Sequence, residues 1–200
     1  MKIINQYCEW VQAPPKNALQ IIEAAGRTCY KSESKISKES AQEFARMILT
    51  RGHESVIEHV SASMRFITDR GVTHEMVRHR LASYSQESTR YCNYGKAGEI
   101  TVIRPVFWHP GNEAWDVWVA SMTEAEDKYM KLLFISASPQ EARTVLPNSL
   151  KTEIVMTANL REWRHFFKLR CAAAAHPQMR DLALQAQKMF HSCLHVLFPL

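Results

Sequence analysis

The stretch that decides how this chain is understood is residues 78–91, Arg78-His79-Arg80-Leu81-Ala82-Ser83-Tyr84-Ser85-Gln86-Glu87-Ser88-Thr89-Arg90-Tyr91. It carries three arginines and one histidine, whereas Glu87 is its only carboxylate. Guanidinium groups present a rigid fork of donors that matches phosphate oxygens in pairs. Hydroxyl and amide side chains beside them can bind the polar edges of a ligand. Because charge runs are usually solvated, the stretch predicts either a basic surface turn or a site for an anion.

Length and composition limit the fold. A chain of 200 residues with 46% hydrophobic and 22% charged residues can bury one substantial core and is short for two domains. We therefore expect a single domain over residues 1–200. No apolar run approaches ~20 residues, so we expect no membrane span. The N-terminal residues Met1–Asn5 lack the apolar region of a secretory signal.

The cysteines and the net charge narrow the functional classes. There are five cysteines, an odd number, and none forms a Cys-x-x-Cys pair. This argues against a disulfide framework or a thiolate zinc site and favours a reducing cytoplasm. The net charge of +5 suits an enzyme of nucleotides or anionic cofactors, and it equally suits a nucleic-acid-binding protein.

Hydrophobic periodicity predicts a mixture of strands and helices, hence an α+β fold. Strands are predicted at residues 60–67, 98–105 and 151–159. Helices are predicted from their caps and their apolar spacing: one capped by Asn17 and ending at Gly26, one ending at Gly52, one capped by Thr73, and others at 112–136, from Ser138, at 160–171 and from Pro177. The helix at 112–136 carries an aromatic stripe that includes Trp115 and Trp118, which predicts core or subunit packing. Because one small domain does not readily cover that surface, we expect a homo-oligomer.

The helix at 160–171 carries one charge in an unusual place. At ~100° per residue, Trp163, Phe166 and Phe167 share one side, and Arg170 lies in the middle of that aromatic side. An arginine on an apolar face must reach water, pair with a carboxylate or meet a bound anion. The residues alone leave these three alternatives open.

The spacing in residues 78–91 is more specific than its charge. Arg78, His79 and Arg80, then Ser88 and the Arg90-Tyr91 pair, resemble the defining motif of the flavin-dependent thymidylate synthases. Four further elements match that family: Gly52–His59, Ala142–Pro147, Asn159–Arg161 and Leu169-Arg170. Together these matches extend from about residue 50 to residue 180. The chain departs from the family pattern at residues 171–178, at Ser85-Gln86-Glu87, and at His165, where many relatives have asparagine.

The resemblance implies a fold and a reaction. The implied fold is that of the thymidylate synthase-complementing proteins, a single domain with a small antiparallel sheet flanked by long helices. The implied reaction is the reductive methylation of dUMP to dTMP by a methyltransferase, with methylenetetrahydrofolate as carbon donor and NADPH-reduced FAD as reductant. Relatives are homotetramers whose active sites are built from several chains, so we expect a cytoplasmic homotetramer with sites at subunit interfaces.

The resemblance also implies the site residues. Arg170 is the catalytic residue, because it stabilises negative charge that develops on the pyrimidine. The residues implied for dUMP are Glu75, Met76, Val77, Arg78, Gln86, Glu87, Ser88, Thr89, Arg90, Arg143 and Arg170. The residues implied for FAD are His53, Ser55, Glu58, Arg78, His79, Arg80, Gln86, Asn159, Arg161, His165 and His176.

Two other functions are compatible with the same residues. A nucleic-acid module could use the same arginines with Tyr84, Tyr91 and Tyr94 as stacking platforms, although the basic residues are dispersed and form no basic helix. A flavoprotein that reduces without methylating is a second alternative. His53 and His59 do not share a helical face, so we expect no metal site. Ser88 is interpreted as a ligand rather than a nucleophile, since no base and orienting group adjoin it; Cys92 and Cys171 are interpreted as packing thiols.

Overall fold

A four-stranded antiparallel sheet forms the centre of the computed structural model, which describes residues 1–200. The strands are β1 (Lys2–Ile4), β2 (Tyr7–Gln12), β3 (Ser61–Asp69), β4 (Ala82–Gln86), β5 (Thr101–Ile103) and β6 (Lys151–Asn159). The α-helices are α1 (Ala18–Thr28), α2 (Ser40–Thr50), α3 (Arg70–Met76), α4 (Glu113–Phe134), α5 (Pro139–Ala142), α6 (Leu160–Arg170) and α7 (Pro177–Leu194). Short 3-10 helices lie at Glu54–His59 and Arg143–Val145, among other places.

The central sheet has the order β2-β3-β6-β4, and β1 pairs with β5 in a separate parallel pair. Strands β3 and β6 are in register from Ser61 opposite Asn159 to Asp69 opposite Lys151. Every second side chain of β6 is buried, which is the period expected of a strand with one face on a core. The edge strand β4 pairs with β6 from Ala82 opposite Ala158 to Gln86 opposite Ile154. Residues 78–91 therefore enclose an edge strand.

The main core lies where helices α1, α2, α6 and α7 meet the sheet. Its centre is aromatic: Trp163 packs against Phe66, Phe166 and Phe190 with ring centroids 6.2, 5.6 and 4.9 Å apart. Full burial of one such side chain stabilises the fold by about 1.5–3 kcal/mol. This packing fixes α6 on the sheet and therefore fixes the direction in which its polar residues point.

A second, smaller core lies under α4. Trp118, Met122 and Tyr129 of this helix are buried against Ile100, Val102 and Leu150. The predicted core packing of the aromatic stripe is therefore confirmed. Other apolar side chains of the same region stay exposed: Val117 is 61% exposed, Phe134 is 88% exposed and Ile135 is 63% exposed.

The predicted helix-and-sheet pattern is confirmed for most elements, with four corrections. Asn17 takes the N-cap position of α1, but its side chain makes no capping hydrogen bond. Thr73 does not cap α3: the Asp69 carboxylate accepts from the Val72 N–H at 2.7 Å, and Thr73 is buried inside the helix. Gly26 does not end α1, because it lies within the helix, where an added Cβ would meet the Phe44 ring at 2.4 Å. Strands β1, β2 and β4 were not predicted, since their short runs carry no clear alternation. None of the helices has the length and apolar character needed to cross a membrane.

Candidate functional site

Strand β4 separates two groups of the predicted site residues. Residues 77–81 connect α3 to the start of β4, and residues 87–91 follow its end. In the connection, the buried His79 lies between the exposed side chains of Arg78 and Arg80. The five residues of β4 span on the order of 16 Å, and the two groups lie at opposite ends of this strand.

The first group, here called the Arg170 cluster, consists of Glu75, His79, Glu162 and Arg170. The Arg170 guanidinium donates from Nη1 to the Glu75 carboxylate and from Nη2 to the Glu75 carbonyl oxygen, both at 2.7 Å. Its Nε donates to His79 Nε2 at 3.0 Å, and His79 Nδ1 lies 3.1 Å from a Glu162 carboxylate oxygen. Of the three alternatives for Arg170, the structure shows pairing with a carboxylate.

Burial governs the electrostatics of the Arg170 cluster. His79 is 4% exposed, and this burial lowers the pKa of its imidazole, although the hydrogen bond with Glu162 acts in the opposite direction. Tyr84 holds the same turn, since its hydroxyl donates to the carbonyl oxygens of Met76 at 2.7 Å and of His79 at 3.0 Å. Burial raises the pKa of Tyr84 to about 12. The hydroxyl therefore stays protonated at neutral pH and shares its one hydrogen between the two carbonyl oxygens.

The second group, here called the Arg143 group, consists of Ser88, Thr89, Arg90 and Arg143. Arg143, from the short helix after α5, donates to the Thr89 hydroxyl at 3.3 Å. The Ser88 hydroxyl accepts from the Arg90 N–H at 3.3 Å. Arg90 and Arg143 are exposed and Thr89 is buried. This arrangement presents two guanidinium groups toward solvent beside the half-buried Ser88 hydroxyl, while the buried Thr89 hydroxyl holds Arg143 in place. Guanidinium and hydroxyl donors of this kind suit a phosphate monoester.

The two polar side chains that precede Ser88, the Glu87 carboxylate and the Gln86 amide, are already paired with other groups. Glu87 accepts from Lys151 at 3.0 Å and from the Tyr94 hydroxyl at 2.8 Å. Gln86 donates its amide to Thr73 at 3.0 Å and to Thr152 at 3.3 Å. These contacts anchor the end of β4 and leave the positive charge of Arg90 and Arg143 without local neutralisation.

Two cavities contain most of the residues predicted to bind flavin. The first, of about 920 Å³, is lined by Glu58, Asn159, Arg161 and His165 among others. The second, of about 690 Å³, is lined by His53 and Ser55, and it shares Glu54 and Arg161 with the first. Arg161 pairs with Glu58 at 2.6 Å. Three further cations line the second cavity: Arg27, Lys35 and Arg51. A large cofactor with phosphate groups and a polar ring fits this donor set.

Comparison with known proteins identifies the family. A family model described as thymidylate synthase complementing protein matches residues 11–194. The chain belongs to this family. The flavin-dependent thymidylate synthase of Geobacter sulfurreducens is 34% identical over 181 residues, which cover 87% of this chain and 78% of the relative. That of Mycobacterium tuberculosis is 34% identical over 195 residues, covering 89% and 77%.

A solved structure shows the same fold as this member of the thymidylate synthase complementing protein family. It is the crystal structure of a UMP/dUMP methylase, PolB, from Streptomyces cacaoi bound with 5-Br dUMP. The TM-score is 0.81 at 22% identity, and the match covers 99% of this chain and 95% of that chain. The predicted family and fold are confirmed, and the prediction of a flavin-dependent enzyme that methylates dUMP is confirmed at the level of the family.

Within this family member, the structure brings together only part of each predicted set. Of the residues predicted to bind dUMP, Glu75 and Arg170 lie in the Arg170 cluster. Arg90 and Arg143 lie beyond the other end of β4. The Met76 side chain is fully buried, and only its backbone faces the turn. His176 precedes α7 and packs edge-on to Phe107 at 6.0 Å, and it lines neither cavity.

Sequence reasoning missed Glu162, which is 6% exposed and contacts His79. A signal existed, because Glu162 lies four residues before Phe166 on the aromatic side of α6, where a carboxylate needs a partner. Ligand atoms of His79, Glu162 and His165 all lie within 4.8 Å of one another. The His79 ring, however, uses both nitrogens on Arg170 and Glu162. The grouping is therefore explained by hydrogen bonding within the chain.

Proposed function

We propose that residues 1–200 form one catalytic domain that converts dUMP to dTMP, with methylenetetrahydrofolate as carbon donor and NADPH-reduced FAD as reductant. The observation that carries this proposal is the Arg170 cluster. It combines a guanidinium fork with a buried histidine beside the Arg78–Arg80 motif, at the position that the family motif assigns to the pyrimidine.

Arg170 is the residue proposed to act on the uracil ring. Its fork donates to two adjacent acceptors, the carboxylate and the carbonyl oxygen of Glu75. An ionised N3 and a neighbouring carbonyl oxygen of uracil present a similar pair, so the pyrimidine can replace the Glu75 side chain there. The guanidinium then stabilises negative charge on the ring in a site from which much of the water is excluded, where such stabilisation is strongest.

The Arg143 group is proposed to bind the phosphate of dUMP. Ser88 and Thr89 supply hydroxyl donors, and Arg90 and Arg143 supply the guanidinium groups. Arg78 and Arg80, exposed on either side of His79, are proposed to serve phosphate groups and the flavin. The other predicted dUMP contacts adjoin these residues. Val77 lies next to Arg78, and the polar side chains of Gln86 and Glu87 precede Ser88.

The flavin is proposed to occupy the cavities lined by His53, Ser55, Glu58, Asn159, Arg161 and His165. The mixture of imidazole, amide and guanidinium groups suits a polar ring edge, and the extra cations suit a pyrophosphate. When bound, the flavin supplies the reducing equivalents, and the protein supplies binding and orientation. Three other residues are still predicted to lie next to the flavin: His79, Arg80 and Gln86. His176 lines neither cavity, so its predicted contact requires the flavin site of another chain.

The complete site is proposed to form between chains of a homotetramer. One chain holds the base-binding Arg170 cluster and the phosphate-binding Arg143 group at opposite ends of β4. A site that takes the two groups from different chains removes this separation. The exposed apolar residues Val117, Phe134 and Ile135 supply surface for such contacts. A cytoplasmic location accords with five free cysteines.

The test is a reconstitution with purified protein. We expect a flavin absorbance spectrum, and we expect tritium release from the C5 position of labelled dUMP together with dTMP formation only when methylenetetrahydrofolate and NADPH are both present. The matched control omits the folate. A protein that binds nucleic acid without flavin, or one that oxidises NADPH without releasing tritium, would contradict the proposal.

A further inference from the structure

The hydrogen bonds of the Arg170 cluster dictate one state of the His79 ring. Arginine has donors only, so His79 Nε2 must accept the Nε–H of Arg170 across the 3.0 Å between them. A neutral imidazole that accepts at Nε2 carries its hydrogen on Nδ1. Nδ1 lies 3.1 Å from the Glu162 carboxylate, which accepts that hydrogen.

The other states of the ring are incompatible with this geometry. The opposite tautomer would place two N–H donors face to face, and a protonated ring would also place a cation against the guanidinium. The charged and titratable groups around the ring come from three elements: Glu162, His165 and Arg170 from α6, Glu75 from α3 through Arg170, and Tyr84 from β4. Of these, Glu162 is the one that accepts from Nδ1.

We propose that Glu162 is a positioning residue, which holds His79 in the Nδ1–H tautomer and thereby aims the Arg170 guanidinium at the pyrimidine. The proposal rests on the function proposed above for Arg170. Glu162 reaches the substrate only through His79, and α6 supplies both ends of the relay. Asn159 caps this helix by accepting the Glu162 N–H at 2.9 Å, which fixes the backbone from which the carboxylate extends.

The relay makes the position of Arg170 depend on pH. Protonation of His79 removes the acceptor that Arg170 needs, so turnover is lost as the pH falls through the pKa of this ring. Burial lowers that pKa, while the Glu162 hydrogen bond and charge raise it. Replacing the carboxylate with a neutral acceptor therefore lowers the pKa of His79 further and moves the acid limb of the pH profile to lower pH.

The experiment compares Glu162→Gln, Glu162→Ala and the surface control Glu9→Gln, which lies in an exposed ion pair with Arg65. No other donor holds the Glu162 side chain, so the amide of the glutamine variant can turn its oxygen toward Nδ1. We expect Glu162→Gln to keep turnover near neutral pH with its acid limb displaced to lower pH. We expect Glu162→Ala to lose kcat by about ten- to a hundredfold, the range known for carboxylates that fix the tautomer of metal-ligating histidines, which is the same orienting role. The control keeps the wild-type profile.

A second readout does not depend on turnover. Nitrogen-15 NMR of the imidazole groups, assigned with His79→Asn, should show His79 as the Nδ1–H tautomer in the wild type and a mixture in Glu162→Ala. An Nε2–H tautomer in the wild type, or an unmoved acid limb in Glu162→Gln, would overturn the proposal even if Glu162→Ala fails to fold. Absence of dTMP formation in the wild type would instead overturn the proposed function and leave the NMR result to decide the tautomer.

Discussion

At one end of β4 the Arg170 cluster is paired within the chain, with His79 and Glu162 buried and Arg170 and Glu75 half-buried. At the other end the guanidinium groups of Arg90 and Arg143 are exposed, and the hydrogen bonds of the Arg143 group are long. All three nitrogens of the Arg170 guanidinium donate to Glu75 or His79. Arg143 makes one hydrogen bond, of 3.3 Å, to Thr89. The comparison shows that a single chain pairs the guanidinium group that is partly removed from water and leaves the exposed guanidinium group without a carboxylate partner.

The reason for the difference is solvation. A charge removed from water needs a partner, and breaking a buried pair by removing one partner costs about 3–5 kcal/mol. An exposed cation keeps its hydration, and an exposed pair contributes about 0–1 kcal/mol. The Arg170 cluster is therefore expected to be preorganised, and the Arg143 group is expected to become ordered when an anion binds.

The largest expected effect comes from Arg170→Ala, which removes the guanidinium group from the Arg170 cluster. We expect kcat for dUMP to fall by about a hundred- to a thousandfold, the range for loss of one preorganised donor that stabilises developing charge. Flavin should stay bound, because the flavin cavities lie around Arg161 and His53. The rate of dTMP formation at saturating dUMP measures kcat, and the absorbance spectrum of the purified variant measures bound flavin. Unchanged turnover would refute the role assigned to Arg170.

A smaller effect is expected from Arg143→Ala, which removes one exposed guanidinium group from the Arg143 group. The variant loses a charged hydrogen bond to phosphate, worth about 1.5–3 kcal/mol, so we expect KM for dUMP to rise by about tenfold or more. The melting temperature should not change, since the Arg143 side chain is exposed. Lys128→Ala on the exposed face of α4 is the matched control. A large fall in stability with an unchanged KM would show that Arg143 supports the fold instead.

Tyr84→Phe sharpens the comparison at the buried end without removing a charge. The variant loses the hydroxyl that donates to the carbonyl oxygens of Met76 and His79. We expect the free energy of unfolding to fall by about 1 kcal/mol, which corresponds to a shift of roughly 2–4 °C in Tm. Thermal denaturation followed by circular dichroism measures it, with Tyr7→Phe on the exposed side of β2 as control. An unshifted Tm would mean that these carbonyl oxygens are satisfied equally well by water.

The smallest effect is expected from salt. Exposed charge interactions are screened by ions, whereas buried ones are screened much less. Raising the NaCl concentration should raise KM for dUMP by about two- to fivefold, in line with an exposed pair worth up to about 1 kcal/mol. Arg143→Ala should show a weaker dependence, and kcat should change little in either protein. A kcat that falls steeply with salt would contradict a buried, preorganised Arg170 cluster.

Several parts of the fold were predictable because their signals are local. Asn112 caps α4 by accepting the Ala114 N–H at 2.8 Å, and Ser138 and Glu141 form a capping box where a helix was predicted to begin. The strand over residues 60–67 was predicted from alternation alone. Strand β4 was not, because its residues are polar and its strand character comes from pairing with β6.

The sequence by itself determined which residue types carry the chemistry: the spacing of residues 78–91 identified the family, and the periodicity of α6 marked Arg170 as unusual. Only the tertiary structure decided that Glu75, His79 and Glu162 surround Arg170 and that β4 separates this cluster from Arg143. The physical reason is that helix periodicity and capping act over a few residues, whereas the desolvation that forces buried charges to pair acts between segments far apart in the chain. That pairing has no local signature, so it appears only once α6 is packed on the sheet.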